Sequence, residues 1–149
     1  MLFETLQTAL KADKSCFNMN KTVAEENKRV FRLDLSKGEP CCLIHVDGCL
    51  IKANDVEKCD YWFHHCDRND NIFVELKGQN IRKGFQQILS TIDWLKSKID
   101  LPKEKRNAAI VASKVPMTSA ETQKLKIEFK SKYGNRLEIQ SIQMVSKFP

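Results

Sequence analysis

Glycine and proline are scarce here, five and four among 149 residues. That scarcity excludes a collagenous or low-complexity chain and leaves no long flexible linker. No apolar run approaches the length of a membrane span. The opening segment MLFETLQTALK carries Glu4 early and lacks a long apolar region, so no leader is read there. No internal repeat is found. Aromatic residues make up 8% and are not interleaved with cations in the way that stacks single strands. Acid is also in deficit. Lys and Arg number 25 against 19 Asp and Glu, a net charge of +6. Such an excess favours an anionic partner, nucleic acid being the common one. The competing reading is a solvated basic surface that keeps the protein dispersed.

Apolar residues make up 42%, enough to build a core, and the length suits one domain spanning 1–149. Six cysteines are present, with Cys41 and Cys42 adjacent. Adjacent cysteines suit separate buried thiols better than a staple, so reduced thiols in the cytoplasm are expected. Cys59, His64, His65 and Cys66 invite a zinc reading, with Cys41, Cys42 and Cys49 near in sequence. Their spacing fits no closed zinc site, and buried thiols are expected instead. Cys–His hydrolase chemistry has no oriented third group or nucleophile elbow to support it.

Periodicity supplies the elements. LFETLQTALKA reads as a short helix, with Leu2, Phe3, Leu6 and Leu10 near helical spacing. KTVAEENKRV reads as helical and polar, and RVFRLDLS as a strand. CCLIHVDGCLIK places two β-prone runs around Asp47-Gly48, a hairpin signal. KCDYWFHH and NIFVELK read as an antiparallel pair joined by CDRNDN. Gly78 ends the second strand. A helix is expected over about residues 80 to 98, where Ile81, Phe85, Ile88, Leu89, Ile92 and Leu95 form one stripe. NAAIVAS reads as an interior strand. Thr118 and Glu121 form a capping box for a helix running to Tyr133, with Gly134 as its stop. RLEIQSI reads as the closing strand. The expected fold is α/β: a mixed sheet with an antiparallel meander, flanked by helices.

The strand pair carries unexpected charge. Asp60 falls among Tyr61, Trp62 and Phe63, and Glu75 and Lys77 follow Ile72, Phe73 and Val74. Side chains alternate along a strand, so Glu75 shares a face with Lys77, and Asp60 with Trp62. Cys59, Tyr61 and Phe63 are expected on the opposite face. A hairpin across this stretch lays Asp60 near Glu75. Two carboxylates held together repel unless a cation joins them, and carboxylate oxygens suit Mg²⁺. A metal, two acids and a lysine can hydrolyse a phosphodiester. The alternative is a Glu75–Lys77 ion pair on a wet face.

The residues D60…E75-L76-K77, on adjacent strands and followed by a helix, resemble the PD-(D/E)XK nuclease superfamily. The resemblance covers EKCDYWF, IFVELKG and NIRKGFQQILSTI, and implies a restriction-endonuclease-like αβββαβ core. It assigns metal binding to Asp60, Glu75 and the Leu76 carbonyl, and catalysis to Asp60, Glu75 and Lys77. Gln87 matches the glutamine that many relatives carry on the helix near the site, while its place off the apolar stripe allows a site-facing or a solvent role. Cys59 stands where many relatives have proline. Glu25 and Glu26 are candidates for the acidic residue that relatives often carry on their first helix.

The resemblance implies a Mg- or Mn-dependent nuclease acting on nucleic acid, with DNA favoured over RNA. A homodimer or a partner protein would supply the target recognition for which a small domain has little room. A catalytically inactive binding module on the same fold is the alternative. Lys96, Lys98, Lys103, Lys105 and Arg106 form one basic group, and Lys124, Lys126, Lys130, Lys132 and Arg136 another. Phosphates need such cations, although the second group also fits the wet side of a helix. His64 is a lesser candidate for touching substrate.

Overall fold

The computed structural model describes every residue except Lys37, Lys77 and Pro116. The elements are helix α1 (Phe3–Leu10), a 3₁₀ turn (Lys14–Cys16), and strands β1 (Phe17–Met19), β2 (Val23–Glu26) and β3 (Arg29–Leu33). Strands β4 (Cys41–His45), β5 (Tyr61–His65) and β6 (Asn71–Glu75) then lead into helix α2 (Ile81–Lys96). After a second 3₁₀ turn come β7 (Arg106–Ala112), helix α3 (Ser119–Lys132), β8 (Arg136–Ser141) and β9 (Gln143–Ser146).

Two mixed sheets result. The larger has the order β1-β4-β5-β6-β7-β8, the smaller β2-β3-β9. The strands from β1 through β6 pair antiparallel, and β7 and β8 continue parallel to β6. The C-terminal ends of β6, β7 and β8, at Glu75, Ala112 and Ser141, therefore share one pole. Their N-terminal ends, at Asn71, Arg106 and Arg136, share the other.

Side-chain alternation divides the core. Ile44, Trp62, Phe73, Ala108 and Ile110 point to one side and meet Leu6, Phe85, Ile88 and Phe129 of the three helices. Leu43, Phe63, Ile72, Val74 and Val111 point to the other and meet Phe31, Leu33 and Met144 of the smaller sheet. The expectation of flanking helices is thus corrected. Helices cover one face and a second sheet covers the other. Coverage on both sides explains why β6 and most of β7 are buried throughout and read as apolar runs. Each fully buried Leu, Ile or Phe contributes roughly 1.5–3 kcal/mol.

The antiparallel pair, the long helix, the interior strand and the capping box lie where periodicity puts them. KTVAEENKRV does not form a helix. Asn27 and Lys28 both adopt positive φ, 50° and 65°, the geometry of a primed hairpin turn joining β2 to β3. Parallel pairing of β3 with β9 outweighs the local helix propensity. Nor does Asp47-Gly48 join two strands. β4 already has β1 on one side and β5 on the other, so residues after it fold back as a turn. Gly134 is not a left-handed stop. A Cβ there would lie 2.3 Å from Phe129 Cε2 and 2.5 Å from the Arg106 carbonyl oxygen, so the position needs a residue without one.

The expectation of reduced thiols holds for Cys41, Cys42, Cys59 and Cys66, which are free and buried. It fails for Cys16 and Cys49, which form a disulfide across 33 residues, their Cα atoms 5.6 Å apart. The fold-back turn carries Cys49 beside the 3₁₀ turn that leads into β1, and β1 pairs with β4 through Phe17 and Ile44. The adjacency of Cys41 and Cys42 gives no hint of it. Cross-linking a loop of this length stabilises by about 3–4 kcal/mol in the chain-entropy view. Cys16→Ser should lower the urea-unfolding free energy by about that amount, and reductant should erase the difference. Equal midpoints without reductant would show that the bridge does not hold the fold. Gly134→Ala should cost about 1–3 kcal/mol in the same measurement through overpacking.

Candidate active site

Strands β5 and β6 pair in the register Tyr61–Val74, Trp62–Phe73, Phe63–Ile72 and His64–Asn71. Asp60 and Glu75 lie just past the Tyr61–Val74 pair, and the Asp60 N–H donates to Val74, the partner of Tyr61, rather than to Glu75. Both are closed to solvent, at 1% and 0% exposure. Glu75 shares the helix side with Phe73. A Cβ on Gly84 of α2 would approach Glu75 Cγ to 3.3 Å, so the glycine lets the helix lie close over the carboxylate.

Asp60 is fastened three ways. Its N–H donates to the Val74 carbonyl at 3.1 Å, and its own carbonyl accepts from Val46 N–H at 3.0 Å. Its Oδ2 accepts from Leu76 N–H at 2.9 Å. The side chain thus takes a donor at the end of β6 while the backbone ties β5 to the turn after β4. Cys59 corrects the alternation read from sequence. The regular strand starts only at Tyr61, and Cys59 joins the helix-side cluster, its N–H donating to Thr91 Oγ1 of α2 at 2.9 Å. Burial, reinforced by the nearby Glu75 charge, pushes the Cys59 thiol up.

The Leu76 carbonyl, expected as a metal ligand, accepts a hydrogen bond from Arg29 Nε. Lys77 lies outside the described residues. Gln87 is half-buried and lines a cleft with Gly78, Gln79, Asn80 and Lys83, starting just after the Glu75–Leu76 end of β6. Glu25 and Glu26 lie on β2, not on a helix, and Glu26 is cross-strand from Arg29. The Tyr61 hydroxyl is raised by burial, then by the Glu26 and Asp60 charges, so all three groups lie near one another. His45 stacks on Tyr61, ring centroids 5.1 Å apart.

Three of these neighbours escape a reading of local pattern. Arg29 reaches Leu76 across 47 residues through a hairpin read as a helix. Gly84 and Thr91 look like ordinary helix positions until α2 is seen lying over Glu75 and Cys59.

No group of three or more His, Cys, Asp or Glu able to hold a metal converges among the described residues. Asp60 and Glu75 offer two buried carboxylates, oxygen donors of the kind that suit Mg²⁺ rather than zinc, and the nearby Leu76 carbonyl is taken by Arg29. The cysteines do not gather for zinc. Cys41 faces the smaller sheet and Cys42 the helices, and burial first pushes both thiols up to about 12. Thiols so poorly ionised are also poor nucleophiles. His64 is not placed to touch substrate. It is buried at the other end of β5, between Asn71 Oδ1 at 2.8 Å and the Met1 carbonyl at 3.0 Å.

The first basic group is largely engaged in structure. Lys105 pairs with Asp70 at 3.4 Å, Lys103 donates to the Ser131 carbonyl at 2.7 Å, and Arg106 donates to the carbonyls of Leu101 and Tyr133. Arg106 and Arg136 begin their strands at the pole opposite Glu75. Lys126, Lys130 and Arg136 line an open groove between α3 and β8 with Gln123 and Asn135.

No family model matches the chain, and no curated protein or solved structure matches it. No helix among the described residues is long and apolar enough to cross a membrane.

The fastening of Asp60 predicts a stability effect. Asp60→Ala leaves the buried Leu76 N–H without its acceptor and should cost about 1–3 kcal/mol in equilibrium unfolding. Asp60→Asn retains an oxygen acceptor and should lose less. Equal losses would show that the hydrogen bond is not what Asp60 contributes.

Proposed function

We propose that residues 1–149 form a single PD-(D/E)XK-like nuclease domain that hydrolyses phosphodiester bonds of nucleic acid, DNA ahead of RNA, with Mg²⁺ or Mn²⁺. The supporting observation is a pair of buried carboxylates at one end of the β5–β6 pair, Glu75 as the last residue of β6 and Asp60 bound through Oδ2 to the N–H of Leu76, the next residue. The order α1, β4-β5-β6, α2, β7 agrees with a restriction-endonuclease-like core, and the smaller sheet is an addition to it.

On this reading Asp60, Glu75 and the Leu76 carbonyl hold the ion. A divalent ion there supplies polarisation of a phosphoryl oxygen and a more acidic bound water. Lys77 orients the attacking water or offsets charge developing on the phosphate. Gln87 contacts the same end of the substrate from the cleft after Gly78. The cytoplasm and a homodimer or partner protein belong to the proposal as well. The four free thiols fit the cytoplasm, whereas the Cys16–Cys49 bridge fits an oxidising compartment better.

A second reading is an inactive binding module on the same scaffold. Full burial of both carboxylates, and the distance of Arg106 and Arg136 from them along the strands, favour it.

Incubation of purified protein with supercoiled, linear, single-stranded and branched DNA, with and without Mg²⁺ or Mn²⁺, separates the two. Wild type should cut in a metal-dependent way. Asp60→Ala, Glu75→Gln and Lys77→Ala should each lose about 10²-fold or more. Lys77→Ala should still bind DNA, since its lysine acts on the reacting phosphate. Binding without cleavage of any substrate would favour the inactive module.

A further inference from the structure

We infer that the outer edge of β8, with the basic groove beside α3, is a docking surface for an extended acidic segment of a partner protein. The inference goes beyond the nuclease reading and stands whether or not the domain cuts nucleic acid.

β8 closes one end of the larger sheet and, among the described residues, pairs with β7 alone. Alternate residues of such a strand turn their N–H and C=O groups outward, a row onto which another strand can pair. α3 packs against β8 and buries Leu125 and Phe129. The neighbouring stripe of that helix, Lys126, Ile127 and Lys130, is turned outward and walls a groove of about 380 Å³. Asn135, Arg136 and Leu137, at the start of β8, form its other side. Ile127 is 60% exposed, an apolar side chain left in water between two lysines of the same groove.

The charge of the groove selects its occupant. Glu138 of β8 is already engaged, by Arg136 Nε at 3.2 Å and by the Ser146 hydroxyl. The groove therefore presents cations. Two copies of this chain joined β8 to β8 would bring their lysine-lined walls together, and like charges oppose that pairing. A strand with acids at alternate positions meets Lys126 and Lys130 with opposite charge on one face while its backbone extends the sheet. An apolar residue between the acids covers Ile127. A nucleic-acid strand also meets the cations, but it has no peptide groups for the β8 edge, and the groove has no aromatic ring on which a base would stack. The six residues of β8 give room for a segment of about the same length.

The test begins with an array of decapeptides carrying Asp or Glu at alternate positions and Val, Ile, Thr or Tyr between them, probed with the wild-type protein. Fluorescence anisotropy then measures the tightest binder, two forms of it N-methylated on every second amide in either frame, and a ten-nucleotide deoxythymidine strand. Methylation in one frame should weaken binding at least about tenfold and in the other far less, because only one set of amides faces β8. Lys126→Glu combined with Lys130→Glu should weaken the parent peptide at least about tenfold, and so should Ile127→Asp alone. Lys14→Glu combined with Lys52→Glu makes the same charge change at exposed positions near the opposite edge strand, β1, and should change affinity by less than about twofold. Equal effects of methylation in the two frames would overturn strand pairing. Undiminished binding by both groove variants would overturn the groove. Failure of every peptide to bind would overturn the proposal outright. Binding of the deoxythymidine strand alone, lost in the lysine variant, would overturn it too and make the groove a nucleic-acid surface.

Discussion

Two buried carboxylates, Asp60 and Glu75, at one end of the β5–β6 pair set the terms for everything around them. Carboxylates closed off from water are unfavourable in a folded chain. The surrounding structure answers that cost on both sides. On one side α2 closes over Glu75 at Gly84, and Thr91 fixes the Cys59 peptide. On the other, the β2–β3 hairpin brings Arg29 to the Leu76 carbonyl. Asp60 itself joins three segments by hydrogen bonds. The cluster is thereby built into the junction of both sheets and α2.

The two poles of the larger sheet do different work. At the end where β6 stops lie the carboxylates, the hairpin tip with Arg29, and the cleft lined by Gln87. At the other end, Lys105, Arg68, Asp70 and Glu39 form a chain of ion pairs, and Arg106 ties the start of β7 to the end of α3. Lys103, Lys105 and Arg106 of the first basic group are therefore engaged in structure.

The portions legible from sequence were those with a local cause. Alternation and a short polar loop define β5 and β6, and a stripe of six apolar residues defines α2. Thr118 and Glu121 mark the start of α3. The smaller sheet has no local cause. β2 and β3 owe their strand form to β9, which lies near the other end of the chain, and β9 carries only a weak pattern of its own. Local pattern alone therefore puts Glu26 and Arg29 on a helix. Cys49 found Cys16 for a similar reason. Its turn is imposed by the two neighbours of β4, not by Asp47 and Gly48.

The central claim is that Asp60 and Glu75 are held together to bind a divalent ion, and its most direct test is crystallographic. Crystals soaked in Mn²⁺ and measured at a wavelength where manganese scatters anomalously would locate the ion without reference to activity. The account predicts one peak within about 2.0–2.4 Å of an oxygen from each of the two carboxylates. A saturated soak that leaves no peak there would contradict it.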